Sequence, residues 1–217
     1  MITRGRAIQT SEQVTAFLLC GGCEQRFNDS GERWVLAHCF DGKRKFALRE
    51  LLVRQGPLHA GSVATTYSGR QILGADVVKL QYFAASIFWR ASVHGRVTST
   101  GPKSVCLGPR YEEEFRRYLL GETGFPANSA LVLSVSAAAT PYTAMNYPMV
   151  MARHPIGCHA NRFVASGIYF DLLVGKQAAQ AHPFCFVHST ENLIHITARI
   201  DAWIEESSFK LSRATPD

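Results

Sequence analysis

The chain has 217 residues, of which 47% are hydrophobic, 11% aromatic and 18% charged. That is enough to bury a core in one large domain or two small ones, and it excludes disorder as a description of the whole chain. The most apolar stretch, residues 82–89, is bounded by Lys79 and Arg90 and falls far short of the roughly 20 residues a membrane helix needs, so no membrane association is expected. The start, from Met1 to Arg6, is polar and charged with no apolar run of signal-peptide length after it, which points to a cytoplasmic location.

The formal net charge is +6, and it is uneven: residues 1–56 carry +3, 57–121 carry +4 and 122–217 carry −1. Of the 23 cations, 17 are Arg, whose planar fork grips phosphate or carboxylate in two places at once. A phosphate-bearing partner, nucleic acid above all, follows as an expectation. The plainer alternative is that a pI near 9.1 serves solubility only. The longest basic run is Lys43, Arg44 and Lys45, and with Arg26, Arg33 and Arg49 nearby these six are the candidate phosphate contacts.

In chain order, Thr10 and Ser11 can cap a helix running to Leu19, with Val14, Phe17 and Leu18 on its apolar side. Cys20-Gly21-Gly22-Cys23 follows, its glycines suited to a tight turn that brings two sulfurs together. Residues 24–27 start another helix, with an interruption expected at Asn28-Asp29-Ser30-Gly31. An apolar piece over 34–40 ends in the turn signal Asp41-Gly42, and residues 46–53 read as helix.

The clearest helix spans 77–93, capped by Asp76 and free of Gly and Pro. Its apolar residues occupy more than one face, the mark of a central, buried helix. Arg90 near its end must either pair with a carboxylate or reach a ligand anion, and pairing is the expectation. After a loop over 95–108, Pro109 opens a helix through residue 120. Its early Glu112, Glu113 and Glu114 and late Arg116 and Arg117 suit the helix dipole, so those charges read as a solvated face, with Arg116 and Arg117 also open to an anionic ligand.

Beyond Pro126 the texture becomes strand-like, over 131–136, 149–152, 163–174 and 184–187. Ile168, Phe170 and Leu172 alternate with Tyr169, Asp171 and Leu173, as in an antiparallel sheet with a covered face. Helix returns near 200–210, and the tail from Ser212 reads as loose. The expected fold class is α+β: a helical N-terminal half with a Cys-x-x-Cys knuckle and an antiparallel sheet in the C-terminal half. Three segments, 1–56, 57–124 and 125–217, are expected to form one compact unit.

Six cysteines without a secretory signal read as thiols. Cys106, Cys158 and Cys185 sit in apolar company and read as buried and inert. Cys20 and Cys23 supply two of the four ligands that tetrahedral zinc requires. His38 with Cys39 is a poor second pair, because adjacent residues point apart. His154, Cys158 and His159 form another cluster, and His182, Cys185 and His188 a third. A strand over 184–187 would send Cys185 and His188 to opposite sides. A redox dithiol is the alternative for Cys20 and Cys23, although the strand and helix pattern of a thioredoxin-like unit is not evident before it. Hydrolase elbow, Walker loop and dinucleotide fingerprint are all missing. Glu24, Glu32 and Asp171 could act as bases, but spacing selects none of them.

The segment from Leu19 to Phe27, followed by Gly31-Glu32-Arg33-Trp34-Val35, resembles a group of uncharacterised bacterial proteins related to HNH endonucleases, and the likeness extends into 83–92 and 107–120. The resemblance implies a treble-clef zinc protein whose first metal pair and His-bearing segment come before the second Cys-x-x-Cys. The nineteen residues ahead of Cys20 hold no cysteine and no histidine, so it further implies a degenerate motif or a half supplied by another chain. Three readings follow: a nucleic-acid-associated accessory protein of a bacterial defence or mobile-element module, a metal-dependent nuclease active only with a partner, and an interaction module that binds a partner protein or forms a homo-oligomer.

Overall fold

The computed structural model describes residues 2–3, 6–7, 19–39, 46–73, 76–94, 97–98, 101–102, 106–139, 146–165, 167–199 and 201–202. Nearly all of the expected helices over 10–19 and 200–210 lies outside them, as do Lys43, Arg44 and Lys45. The elements in order are β1 (Ile2–Thr3), β2 (Arg6–Ala7), α1 (Gly21–Phe27), a π turn (Asn28–Glu32), α2 (Arg33–Cys39), α3 (Ala47–Gln55), β3 (His59–Ala60), β4 (Thr65–Ser68), α4 (Gly69–Leu73), α5 (Asp76–Val93), β5 (Val97–Thr98), β6 (Gly101–Pro102), α6 (Pro109–Leu119), β7 (Ser129–Ser136), β8 (Met149–Val150), β9 (His159–Ala165), β10 (Ile168–Val174), a 3₁₀ segment (Lys176–Phe184) and β11 (Leu193–Thr197). The class is mixed α+β, with six α-helices among the described residues and a seven-stranded sheet.

The sheet order is β3-β4-β11-β7-β10-β9-β8. Every pairing is antiparallel except β11 with β7, where Ile194 faces Leu133 and Ile196 faces Val135 in parallel register. Two strands, β3 and β4, come from the chain's first half, so the sheet is built from both halves. No helix among the described residues is long and apolar enough to cross a membrane.

Period-two alternation assigns the faces. Leu131, Leu133 and Val135 of β7, Phe163 of β9, Ile168, Phe170 and Leu172 of β10 and Ile194 of β11 point to the helices and enter the main core. There Phe83 and Phe88 of α5 meet Phe163 edge-on at 6.1 and 5.0 Å, and Phe163 stacks on Phe170 at 4.4 Å. The reverse face carries Ala130, Ala160 and Leu173, covered by Ala178 of the 3₁₀ segment and by Cys158 and Cys185. Further along that face Arg162 holds Asp171 with two hydrogen bonds of 2.6 and 2.8 Å across β9 and β10.

Two local expectations are corrected. Asn28-Asp29-Ser30-Gly31 does not interrupt the helix; it makes the π turn through which α1 continues into α2. A π turn inserts one extra residue into a helix and survives where tertiary contact holds it. Gly31 supplies that contact, because a Cβ there would stand 2.9 Å from Lys79 O and from Phe83 N on α5. Residues 184–187 are not a strand either. The segment crosses the end of β7, with Phe186 N donating to Leu131 O at 2.7 Å, and His188 at φ +82° turns the chain away.

Candidate functional site

Cys20 is the N-cap of α1, and its carbonyl accepts the N–H groups of Cys23 at 2.9 Å and Glu24 at 3.0 Å. The two glycines between the sulfurs thus form the first helical turn and not a left-handed loop, and neither has a positive φ. N-cap and third helical residue lie on one side of a turn, so the thiols meet there, Cys20 exposed and Cys23 half-buried. The backbone N–H of Cys23 holds the Cys20 thiol below its ordinary range, helped by the Cys23 thiol and the N–H of Gly22. Cys23 is pushed up because its proton serves the Cys20 sulfur. This is the environment that favours a thiolate, the form that binds metal or attacks a disulfide.

The donor set fits half of a tetrahedral zinc site. Among the described residues no group of three or more His, Cys, Asp or Glu side chains gathers to hold a metal. His38 stacks on Trp34 at 4.5 Å and bonds to its carbonyl. His154 and Cys158 close a turn through their backbones, and Cys158 is buried. His182 and His188 do come together, with ring centroids 4.1 Å apart, while the Cys185 thiol turns inward and burial pushes it up to about 11.

Beside the thiols lies a cleft of about 420 Å³ lined by Glu24, Gln25, Phe27, Asn28, Glu32 and Arg90. Arg90 donates from Nη2 to Glu32 Oε1, and at 3.3 Å to Ser86 Oγ, while its guanidinium stands 5.4 Å from the centre of the Phe27 ring. Both side chains of the pair are about three-quarters buried (29% and 25% exposed), so the pair is partly desolvated and losing either partner is costly. The expected pairing of Arg90 is therefore present. Its partner lies 58 residues earlier in the chain. Of the three candidate bases, Glu32 is engaged by Arg90 and Asp171 by Arg162. Glu24 is exposed, and among the described residues no side-chain hydrogen bond or ion pair engages it.

No family model, curated protein or solved structure matches this chain. What the chain can do chemically follows from the side chains assembled around α1 and their neighbours.

The cations form a more dispersed set than their spacing suggests. Arg26 Nη1 donates to Leu120 O at 2.9 Å, which caps the end of α6 and brings α1 to the helix that carries Arg116 and Arg117. Arg116 grips Glu113 with two hydrogen bonds, which lowers the Glu113 carboxyl and raises the guanidinium. Arg117 reaches Glu122 at 3.4 Å and Arg33 reaches Asp29 at 3.6 Å. Arg49 donates to Ala137 O. Arg33 and Arg117 are largely exposed, and exposed pairs of this kind are worth at most about 1 kcal/mol, little hindrance to exchanging a carboxylate for a phosphate. Arg117 also lines a second cleft of about 320 Å³ with Glu114, Phe125 and Asn128.

Sequence reasoning missed Gln25 and Asn28 as cleft residues and Gly31 as the contact to α5. Polar residues weak in helix propensity inside a helix were the available signal, and they read as a break.

Proposed function

We propose that the protein is a nucleic-acid-associated accessory protein related to the HNH endonucleases, with Cys20 and Cys23 forming the second half of a treble-clef zinc knuckle. The remaining ligands come from a partner polypeptide or a second copy. Zinc there supplies a structural clamp between the two parts. The observation that carries the reading is the meeting of two thiols on one open helical turn, one of them favoured as thiolate by backbone N–H groups. The net charge of +6 and the arginines of α1, α2, α3 and α6 support contact with phosphates.

The test is zinc content by elemental analysis of the wild type beside Cys20→Ser, together with gel shifts on duplex and single-stranded DNA from low to high salt. Zinc lost on substitution, and a shift that weakens steeply with salt, are the expected results. Zinc absent from both proteins, with no shift at the lowest salt, would sink the reading.

A further inference from the structure

The cleft beside the π turn leaves several hydrogen-bonding groups unused. Glu24 has no side-chain partner among the described residues. Gln25 spends its amide N–H on Asp29 at 2.7 Å, which leaves its carbonyl oxygen as an acceptor. Glu32 gives one oxygen to Arg90 and retains the other. Among the described residues Arg90 is the one cation of the lining; its Nη2 is taken by Glu32 and Ser86 and its Nε leans on Ser86 O at 3.4 Å, which leaves Nη1 to donate. The lining therefore offers a cluster of acceptors with one guanidinium donor, held in place by a partly buried ion pair and by a helix irregularity of the kind that concentrates at functional sites.

A phosphate is a poor match for this set, because two carboxylates face one cation that is already paired. A ligand with two adjacent donors and a neighbouring acceptor matches it. Among nucleic-acid bases, guanine alone presents that edge: N1–H and the 2-amino group for a carboxylate, with O6 for a donor. Adenine, cytosine and thymine each present one donor group on the corresponding edge. A volume of about 420 Å³ lies within the range of small-ligand sites, roughly 300–1,000 Å³. A base can enter such a cleft only when unstacked and unpaired, the state in which single strands are read on this edge.

We propose that this cleft binds an unpaired guanine of single-stranded nucleic acid, with Glu24 accepting from N1–H and the 2-amino group and Arg90 donating to O6. The inference rests on the nucleic-acid reading above and narrows it to one base. Arginines outside the cleft, Arg26 and Arg33 among them, would hold the flanking phosphates and give binding its salt dependence.

The experiment is fluorescence anisotropy at low salt with the full chain and four labelled probes: twenty thymidines, and the same strand with a single central guanine, hypoxanthine or adenine. The guanine strand is expected to bind about tenfold more tightly than the plain one, the scale of one good two-point base contact. Hypoxanthine, which lacks the 2-amino group, should lose most of that gain, and adenine all of it. Glu24→Gln lies on the exposed surface and should abolish the guanine preference, while affinity for the thymidine strand stays the same or rises with the loss of one negative charge. Equal binding of all four probes overturns this inference and leaves the nucleic-acid reading standing. Binding of none overturns this inference, and with no gel shift on duplex DNA either it removes the nucleic-acid reading as well.

Discussion

Helix α5 has two sides, and they are used differently. Toward the sheet, Phe83 and Phe88 enter an apolar layer of Phe163, Phe170 and the inward residues of β7, with no charged group among the buried residues of that cluster. Toward α1, the π turn and α2, the same helix presents Tyr82, Trp89 and Arg90 to Phe27, and Lys79 O and Phe83 N to Gly31. One side is filled by shape alone. The other side is a polar seam in which an ion pair, a backbone contact and an open cleft share a few residues. A single apolar helix can thus anchor a dry core and also support a site, because its Arg90 lies in the seam, where Glu32 compensates it.

Four perturbations would break or sharpen that contrast. The largest effect belongs on the dry side: Phe163→Ala removes a ring stacked at 4.4 Å on Phe170 and touching two rings of α5, and chemical denaturation should show a loss of about 3–5 kcal/mol. Next comes Gly31→Ala, whose Cβ meets α5 backbone at 2.9 Å. Neither chain can yield easily, so a loss of about 1–3 kcal/mol is expected, and hydrogen exchange should report it as faster opening of α1 and α2. If Gly31→Ala proved neutral, the π turn would not depend on that close approach.

Glu32→Gln leaves the Arg90 charge partly buried without its partner. Residual exposure discounts the full penalty of a buried pair, so about 1–2 kcal/mol is expected by thermal or urea unfolding. A double variant Glu32→Gln with Arg90→Met should recover part of that loss. The smallest effect is Tyr82→Phe, which removes a 2.8 Å hydrogen bond from the phenol to Leu119 O and should cost about 1 kcal/mol. That variant also changes pH behaviour. Burial raises the Tyr82 phenol from 10.0 to about 12. Between those values the folded state keeps the proton that the unfolded state has lost, so stability is full below pH 10 and falls as pH rises toward 12. Denaturant midpoints measured across that interval should fall less steeply in Tyr82→Phe than in the wild type.

Much of the regular structure was legible because local pattern and tertiary context agree. The helix expected over 77–93 is α5, Pro109 opens α6 as its position suggests, and the alternation over 168–174 gives β10 its two faces. The site was half legible. Cys20 and Cys23 stand out by spacing, and the thiols do meet, although as the cap and first turn of a helix. Arg90 stood out as a charge at the end of an apolar helix that needed a carboxylate. Nothing local could say that Glu32 provides it, since the two are joined only when α5 lies against the π turn. For Arg116 the local pattern sufficed, because Glu113 is three residues away on the same helix.

By itself, then, the sequence determined which segments could bury a face, where α5 and α6 begin, and which two of six cysteines share a turn. These follow from periodicity, caps and spacing, all of which act within a few residues. Tertiary structure alone decided that β3 and β4 join the C-terminal strands in one sheet through β11, that 184–187 crosses the end of β7, and that a run of Asn, Asp, Ser and Gly stays helical. Each of these is set by a partner distant in the chain: a neighbouring strand's unpaired backbone, the carbonyl of Leu131, or the close approach of α5 to Gly31. Interactions over such separations are worth more than local propensity and leave no periodic trace in the sequence.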